Sequence, residues 1–314
     1  MLVGITGGSG FIGKTLVEKH IANGDDVRIL TRYASTKFKH NRINLYYGDL
    51  TGSVDKLASF VENVDVLYHC AGETRDENKM YETHLTGTKN LCEAAKNRIG
   101  HWVQLSSVGV YGSQSDGLIT EETHGNPIGI YETSKAKSDQ IVIDYALKKA
   151  FQCTILRPSN IYGPTMKNQS LFQLIKMVDR GLFFYIGSTG ASANYIHVDN
   201  VVEALTMCGR KSTFDVGIYN LSDYLPIESF IDVIADELGR PKPSVRISER
   251  FLRLCAPLFD LIPGFPLTTS RINAMTLRTV YSIQKIQNSL GYSHLVSMEK
   301  GIRDLVTSWK MSKN

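Results

Sequence analysis

The chain has 314 residues, 42% of them apolar and 21% charged, with 26 glycines and 9 prolines; this composition is that of an ordinary globular protein and excludes disorder, collagen and coiled coil. Lys and Arg number 35 against 31 Asp and Glu, a formal charge of +4, and no basic run tracks a duplex, so no nucleic-acid partner is expected. The five cysteines, Cys70, Cys92, Cys153, Cys208 and Cys255, stand far apart in no metal-ligand spacing and read as reduced core thiols of a cytoplasmic protein without a metal site.

The opening MLVGITGG has no charged n-region and no long apolar stretch, so no signal peptide is expected. No segment supplies ~20 uninterrupted apolar residues, so no spanning helix and no membrane contact are expected. Leu2–Thr6 is predicted as a strand ending in a glycine cluster. Phe11–Asn23 is predicted as a helix with Phe11, Ile12, Leu16, Val17 and Ile21 apolar, stopped by Asn23-Gly24. Strands follow at Val27–Thr31, Asn44–Tyr47 and Val64–Cys70, then a long helix at Met80–Arg98. A strand at His101–Leu105, a helix at Ile130–Lys149 and a strand at Gln152–Leu156 complete the series. Such alternation predicts an α/β fold, a parallel sheet with helices on both faces. The pattern loosens after Pro164. The stretch from Pro226 to Pro266 holds a helix at Glu228–Leu238 and the apolar run Phe251–Phe265, and this part is expected to form a smaller cap on the sheet.

The turn after the first strand, Thr6-Gly7-Gly8-Ser9-Gly10-Phe11-Ile12-Gly13-Lys14-Thr15, fits two phosphate-binding patterns. Gly7 or Gly8 with Gly10 and Gly13 gives the dinucleotide spacing, in which glycines allow a tight turn, close approach to a pyrophosphate and close helix packing. Gly8 with Gly13-Lys14-Thr15 is formally a Walker A loop. A nucleotide hydrolase also needs a magnesium-holding Asp at a strand end, and Asp49 and Asp65 fit that poorly, since Asp65 begins its strand. In the NAD pattern an acidic residue ends the second strand and holds the ribose 2′-hydroxyl. Here that position is Thr31, followed by Arg32, while Asp25 and Asp26 lie at the wrong end. A hydroxyl and a guanidinium suit a 2′-phosphate, so NADP is expected, with NAD as the alternative, Arg32 as the main contact and Lys37 as a weaker one.

Tyr131 and Lys135, four apart, share one face at the start of the Ile130–Lys149 helix. A phenol, with its ordinary pKa of about 10, is a poor acid or base at neutral pH. A cation at ~4 Å, worth about 4 kcal/mol at an effective dielectric of about 20, is expected to lower it by up to roughly three units. Upstream, Ser106 and Ser107 end a parallel strand, at the edge where ligands sit.

These pieces occur in a set order: TGGSGFIG (Thr6–Gly13), GDL (Gly48–Leu50), HCAG (His69–Gly72), SSVGVYG (Ser106–Gly112), YETSK (Tyr131–Lys135), LRPSNIYGP (Leu156–Pro164) and YIHVDNVVEA (Tyr195–Ala204). Through them nearly the whole chain resembles an extended short-chain dehydrogenase/reductase of the NAD(P)-dependent epimerase/dehydratase kind. The resemblance implies a Rossmann-type doubly wound parallel sheet over 1–163 plus about 195–223, and a C-terminal substrate-binding cap over about 164–194 and 224–314. It implies Ser107, Tyr131 and Lys135 as the catalytic set, with Tyr131 and Lys135 also at the cofactor. Phe11, Ile12, Asp49, Leu50, Ala71, Gly72, Ser106 and Pro158 would join Gly7, Gly10, Gly13, Thr31 and Arg32 along the cofactor. Ser107, Asn160 and Arg278 would meet the substrate, and a homodimer would pack through the 80–98 and 130–149 helices.

Departures from the family pattern narrow the chemistry. His84 stands where the family often has Asn. Val108 and Gly109 stand where dehydratases carry an acidic pair, which disfavours dehydration. Ala193 stands where many UDP-sugar 4-epimerases carry Arg, so Arg278 is expected to take the diphosphate, with Lys167 and Lys176 as weaker candidates. The expected activity is NADP(H)-dependent reduction of a nucleotide-activated 4-keto-6-deoxy sugar at C4, with Tyr131 as the acid. The rivals are a 4-epimerase with retained NAD and a hydroxysteroid-type dehydrogenase, which the tail FPLTTSRINAMTLRTVYSIQKIQNSLGY also resembles. A third is a non-catalytic NADP-binding sensor, against which the intact Ser107, Tyr131 and Lys135 argue.

Overall fold

A computed structural model describes residues 1–33, 38–112, 114, 116–166, 169–211, 216–260 and 269–313. Lys37, Lys167 and residues 261–265 of the apolar run therefore lie outside the described residues. In chain order the first half runs β1 (Leu2–Thr6), α1 (Phe11–Ala22), β2 (Asp26–Thr31), β3 (Ile43–Tyr47), α2 (Asp55–Val61), β4 (Val64–His69), α3 (Glu77–Tyr81), a π-helical turn (Glu82–Thr86), α4 (Gly87–Ala95), β5 (Ile99–Leu105), β6 (Asp116–Ile119), α5 (Ile130–Leu147) and β7 (Gln152–Pro158). The second half runs β8 (Asn160–Tyr162), α6 (Gln169–Asp179), β9 (Tyr185–Ile186), β10 (Ser192–His197), α7 (Val198–Arg210), β11 (Gly217–Leu221), β12 (Asp223–Pro226), α8 (Ile227–Leu238), β13 (Arg246–Ile247), α9 (Glu249–Asp260), α10 (Thr269–Thr276), β14 (Arg278–Tyr281), α11 (Gln284–Leu290) and α12 (Met298–Met311).

Seven parallel strands make the main sheet, in the order β3-β2-β1-β4-β5-β7-β11. The direction of winding reverses between β1 and β4. A crevice opens there beyond the carboxyl ends of the strands, and it is where such sheets bind ligands. Both faces are covered. Val3, Ile5 and Ile29 pack with Leu16 of α1 and Leu205 of α7 on one side; Leu67 and Trp102 pack with Phe60 of α2, Leu91 of α4 and Val142 of α5 on the other. Double burial explains why these strands read as continuous apolar runs, without alternation.

The remaining strands are short. β10 pairs with β12 and β8 in a three-stranded sheet, β9 with β13, and β14 with β6. Over them α6, α8 and α12 share a separate apolar core that includes Leu171, Phe230, Ile234, Leu305 and Trp309. Pro226 starts α8 and Gly239, at φ +68°, ends it, the usual division between proline and glycine at helix ends.

One predicted helix is corrected. Met80–Arg98 forms as one helical stretch that starts earlier, at Glu77, carries a π-helical turn over Glu82–Thr86 between α3 and α4, and ends at Ala95. A π turn inserts one extra residue, often at a functional site, and here it carries the buried His84. The long Ile130–Lys149 helix is continuous but ends at Leu147.

Candidate active site

The phosphate end of the crevice is built from backbone. Gly7 has φ +70°, and a Cβ there would lie 2.7 Å from the Ala71 nitrogen, so only glycine fits. A Cβ on Gly13 would meet the Gly7 carbonyl oxygen at 2.2 Å. Helix α1 starts at Gly10 with no side chain capping its amide groups. Those free N–H donors and the helix dipole suit a pyrophosphate. The Walker alternative does not survive the geometry. Lys14 is exposed and pairs with Glu18 at 3.7 Å, and Thr15 Oγ1 donates back to the Phe11 carbonyl at 3.2 Å.

The adenosine end is a cavity of about 360 Å³ whose lining includes Gly7, Gly10, Leu30, Thr31, Arg32, Asp49, Leu50, Ala71 and Gly72. Thr31 Oγ1 donates to the Tyr33 carbonyl at 3.0 Å, and the Arg32 guanidinium lies 5.6 Å from the Tyr33 ring centre. Asp49 is folded into its own turn, accepting from the Thr51 amide and hydroxyl at 3.0 Å each. Tyr33, Lys79 and Thr83 also line this end; they follow no motif and sequence reasoning missed them.

The reacting end is a cleft of about 920 Å³ that brings together Gly7, Gly10, Phe11, Ile12, Gly13, Gly72, Ser106, Ser107, Tyr131, Pro158 and Asn160. Tyr131 opens α5 and faces the end of β5. Ser107 Oγ accepts from the Gly109 amide at 3.0 Å and is hydrogen-bonded with the Tyr131 hydroxyl. Lys135 is buried and its Nζ donates to the Leu105 carbonyl at 2.6 Å. Burial pushes the Tyr131 phenol up to about 12, the Glu132 and Asp139 carboxylates add to the rise, and a hydrogen bond with Ser107 opposes it. The expected lowering of this phenol by Lys135 is thus corrected: Nζ is turned to a carbonyl, and desolvation of the phenol dominates. Burial also lowers Lys135, with Asp139 acting the other way.

Beneath these groups lies a buried polar network. Ser106 Oγ donates to Asp139 Oδ2 at 2.7 Å, so its side chain is turned from the groove that its backbone lines. Arg157 pairs with Asp139 at 3.3 Å and donates to the Tyr111 hydroxyl at 3.1 Å. A second chain passes through His84. The Glu73 amide donates to its Nε2 at 2.9 Å, so the ring proton sits on Nδ1 and is given to Ser134 Oγ at 2.7 Å. Ser134 Oγ in turn donates to the Tyr131 carbonyl at 2.8 Å. Burial lowers His84 to about 4, with the Lys135 charge adding to the effect. Its ring stands edge-on to Tyr131, centroids 5.8 Å apart.

Glu132, Asn160, Ser192 and Asn194 add polar groups to the cleft lining, and Leu174, Tyr195, Met275 and Leu277 add an apolar wall. Ala193 is part of this lining. Arg278 is not. Its Nη2 donates to the Ser188 carbonyl and hydroxyl and to the Thr189 carbonyl at 3.0–3.3 Å, so the expected diphosphate contact is already engaged elsewhere. Lys176 is exposed on α6 and lies outside the cleft lining. Among the described residues no group of three or more His, Cys, Asp or Glu is placed to hold a metal, and no helix is long and apolar enough to cross a membrane.

A model of the NAD dependent epimerase/dehydratase family matches residues 3–222. Human sterol-4-alpha-carboxylate 3-dehydrogenase, decarboxylating, is 25% identical, with 98% of this chain and 87% of that protein aligned. A 4-hydroxy-2-methyl-3-oxo-4-farnesyl-3,4-dihydroquinoline-1-oxide ketoreductase from Stigmatella aurantiaca is also 25% identical, over 95% of this chain and 93% of its own. The structure of UDP-glucuronic acid 4-epimerase from Bacillus cereus in complex with NAD superposes over 100% of both chains, with a TM-score of 0.77 at 18% identity.

Proposed function

The chain belongs to the NAD dependent epimerase/dehydratase family, and on that premise we propose that it is an NADP(H)-dependent reductase of a 4-keto-6-deoxy sugar, acting at C4 with Tyr131 as the acid. Membership makes it an NAD(P)-dependent enzyme of the extended short-chain dehydrogenase/reductase type. The observation that supports this reading is that the Ser107 and Tyr131 side chains meet in one cleft, with Lys135 one turn further along α5. Two hydroxyls so placed can hold a carbonyl oxygen and give it a proton.

A nicotinamide dinucleotide, which the glycine turn at Gly7, Gly10 and Gly13 would hold, would supply a hydride there. The hydroxyls of Ser107 and Tyr131 hold the carbonyl oxygen. As the carbon accepts the hydride, the carbonyl π pair moves to that oxygen, which takes the Tyr131 proton. The phenolate left behind lies one helical turn from the Lys135 ammonium and regains its proton from solvent.

NADP is favoured because β2 ends in Thr31-Arg32, beside the adenosine cavity. The polar groups of the cleft lining support a hydroxyl-bearing ring. Nucleotide activation, expected from the resemblance, has less support, because Ala193 and Arg278 offer no cation to a diphosphate in the cleft. A homodimer through α4 and α5 belongs to the same proposal. A hydroxysteroid-type dehydrogenase is the second reading, favoured by the apolar wall and by the sterol relative. Turnover of nucleotide sugars, sugar ketones and sterol ketones with NADPH separates the readings. Tyr131→Phe is expected to lose 10²-fold or more in kcat, on the order of a general acid's contribution, while cofactor affinity is kept. Unchanged turnover refutes the acid assignment.

A further inference from the structure

Behind the apolar wall of the cleft lies a second cavity of about 200 Å³, bounded by α6, the Phe183–Phe184 stretch and α10. Leu174, Tyr195, Ala274 and Met275 line both spaces, so the side chamber adjoins the cleft. Its own walls include Met177 and the buried Phe183. Binding sites of this kind take apolar groups and use a few polar ones to set orientation. Here Glu132, Asn160, Ser192 and Asn194 line the cleft, and the chamber is mainly apolar, with Gln173 and Arg271 as its polar members.

We propose that the molecule reduced at Tyr131 is an amphiphile, a ring ketone whose far side carries a flexible alkyl or isoprenoid chain seated in the chamber between α6 and α10. The inference rests on the ring-ketone reading above and names the chemistry of the substrate's remote end. The volume selects a chain. An apolar cavity of about 150 Å³ admits a benzene, so a space of about 200 Å³ takes a segment of chain and not a fused four-ring nucleus. Gln173 and Arg271 are the polar members of the lining, and the other eight residues are apolar or aromatic, so a diphosphate or nucleotide base would set most of its polar atoms against apolar walls such as Met177 and Phe183. Each methylene moved from water into such a wall is worth roughly fourfold in affinity, the equivalent of about 0.8 kcal/mol.

The test compares the methyl and octyl glycosides of a 4-keto-6-deoxyhexose with NADPH, and binding of octyl glucoside by calorimetry below its micellar concentration. Met177 borders the chamber and not the cleft. The octyl compound is expected to exceed the methyl one at least tenfold in kcat/KM. Met177→Trp is expected to erase that gain and weaken octyl glucoside binding tenfold, whereas Met177→Ala keeps both. NADPH binding reports that each variant is folded; if Met177→Trp fails to fold, Met177→Ala decides, a shift of its preference towards longer chains supporting the chamber and an unchanged preference overturning it. Equal rates for methyl and octyl glycosides, a gain that survives in folded Met177→Trp, or faster turnover of a steroid ketone overturns the proposal. If neither glycoside is reduced but octyl glucoside binds in a Met177-dependent way, the sugar reading fails and the chain site stands. If both glycosides turn over equally and octyl glucoside does not bind, the reverse holds.

Discussion

His84 Nδ1 lies 2.7 Å from Ser134 Oγ, and this contact ties the π-helical turn to the first turn of the catalytic helix. The other ring nitrogen holds the Glu73 amide, in the segment that follows Ala71 and Gly72 in the cavity lining. His84 is thus a positioning residue: it touches neither reacting atom but fixes two walls of the site against each other. His84→Ala leaves a buried amide unpaired, a cost of about 1–3 kcal/mol. NADPH affinity and kcat are expected to fall by roughly tenfold each (about 1.4 kcal/mol). His84→Asn, which keeps a donor and an acceptor, is expected to restore part of both. Fluorescence titration of NADPH alongside kcat checks this. A variant that loses only thermal stability, with cofactor affinity and kcat intact, contradicts the positioning role.

Arg32 should decide cofactor choice. Arg32→Ala is expected to raise KM for NADPH about tenfold or more, the worth of one charge-assisted contact of about 1.5–3 kcal/mol, and to leave NADH little changed. Thr31→Asp should move the preference further, since a carboxylate repels a 2′-phosphate and binds a ribose hydroxyl. Steady-state kinetics with both cofactors measure it, and equal losses would remove Arg32 from the 2′-phosphate.

Much of this site was legible because parallel strands buried on both faces leave unmistakable apolar runs and glycine turns leave fixed spacings. Gly7, Gly10 and Gly13 follow from the glycine spacing and Ser106 and Ser107 from the end of an apolar strand, whereas Asp49, Leu50, Ala71, Gly72 and Pro158 come only with the family resemblance. What could not be read is held together by long-range pairing. Strand β14 meets β6 through Arg278↔Asp116 and its neighbours, and β9 meets β13 over two residues each; strands this short carry no period. The π turn within the predicted Met80–Arg98 helix is invisible in the sequence, since it keeps helical composition. Asp139 and Asn194 lie in no motif, and Glu132 and Arg157, although inside YETSK and LRPSNIYGP, show no role until the chain is folded. The chamber at Met177 and Phe183 is made by α6 and α10, which approach each other only in the folded chain.

Acid should weaken the fold well before its carboxylates protonate. Burial lowers His69 to about 3 and His84 and His101 to about 4, against an ordinary value of about 6.5. The unfolded chain therefore binds these protons first as pH falls. The stability that neutral histidines contribute is full above about pH 6.5 and is lost progressively towards pH 4 and below. Each is expected to cost about 2 kcal/mol between pH 7 and pH 5. Urea unfolding at the two pH values measures the sum, and an unchanged midpoint would contradict burial of these rings in neutral form.

The most direct test follows the hydride. NADPH carrying deuterium at the transferable position of the nicotinamide is incubated with a 4-keto-6-deoxy sugar and the purified protein. The reductase reading predicts deuterium at C4 of the product and one NADP⁺ released per turnover. Recovery of the ketone unreduced, together with NAD held by the purified protein and deuterium-free C4 epimerisation of the corresponding 4-hydroxy sugar in a parallel incubation, would contradict it.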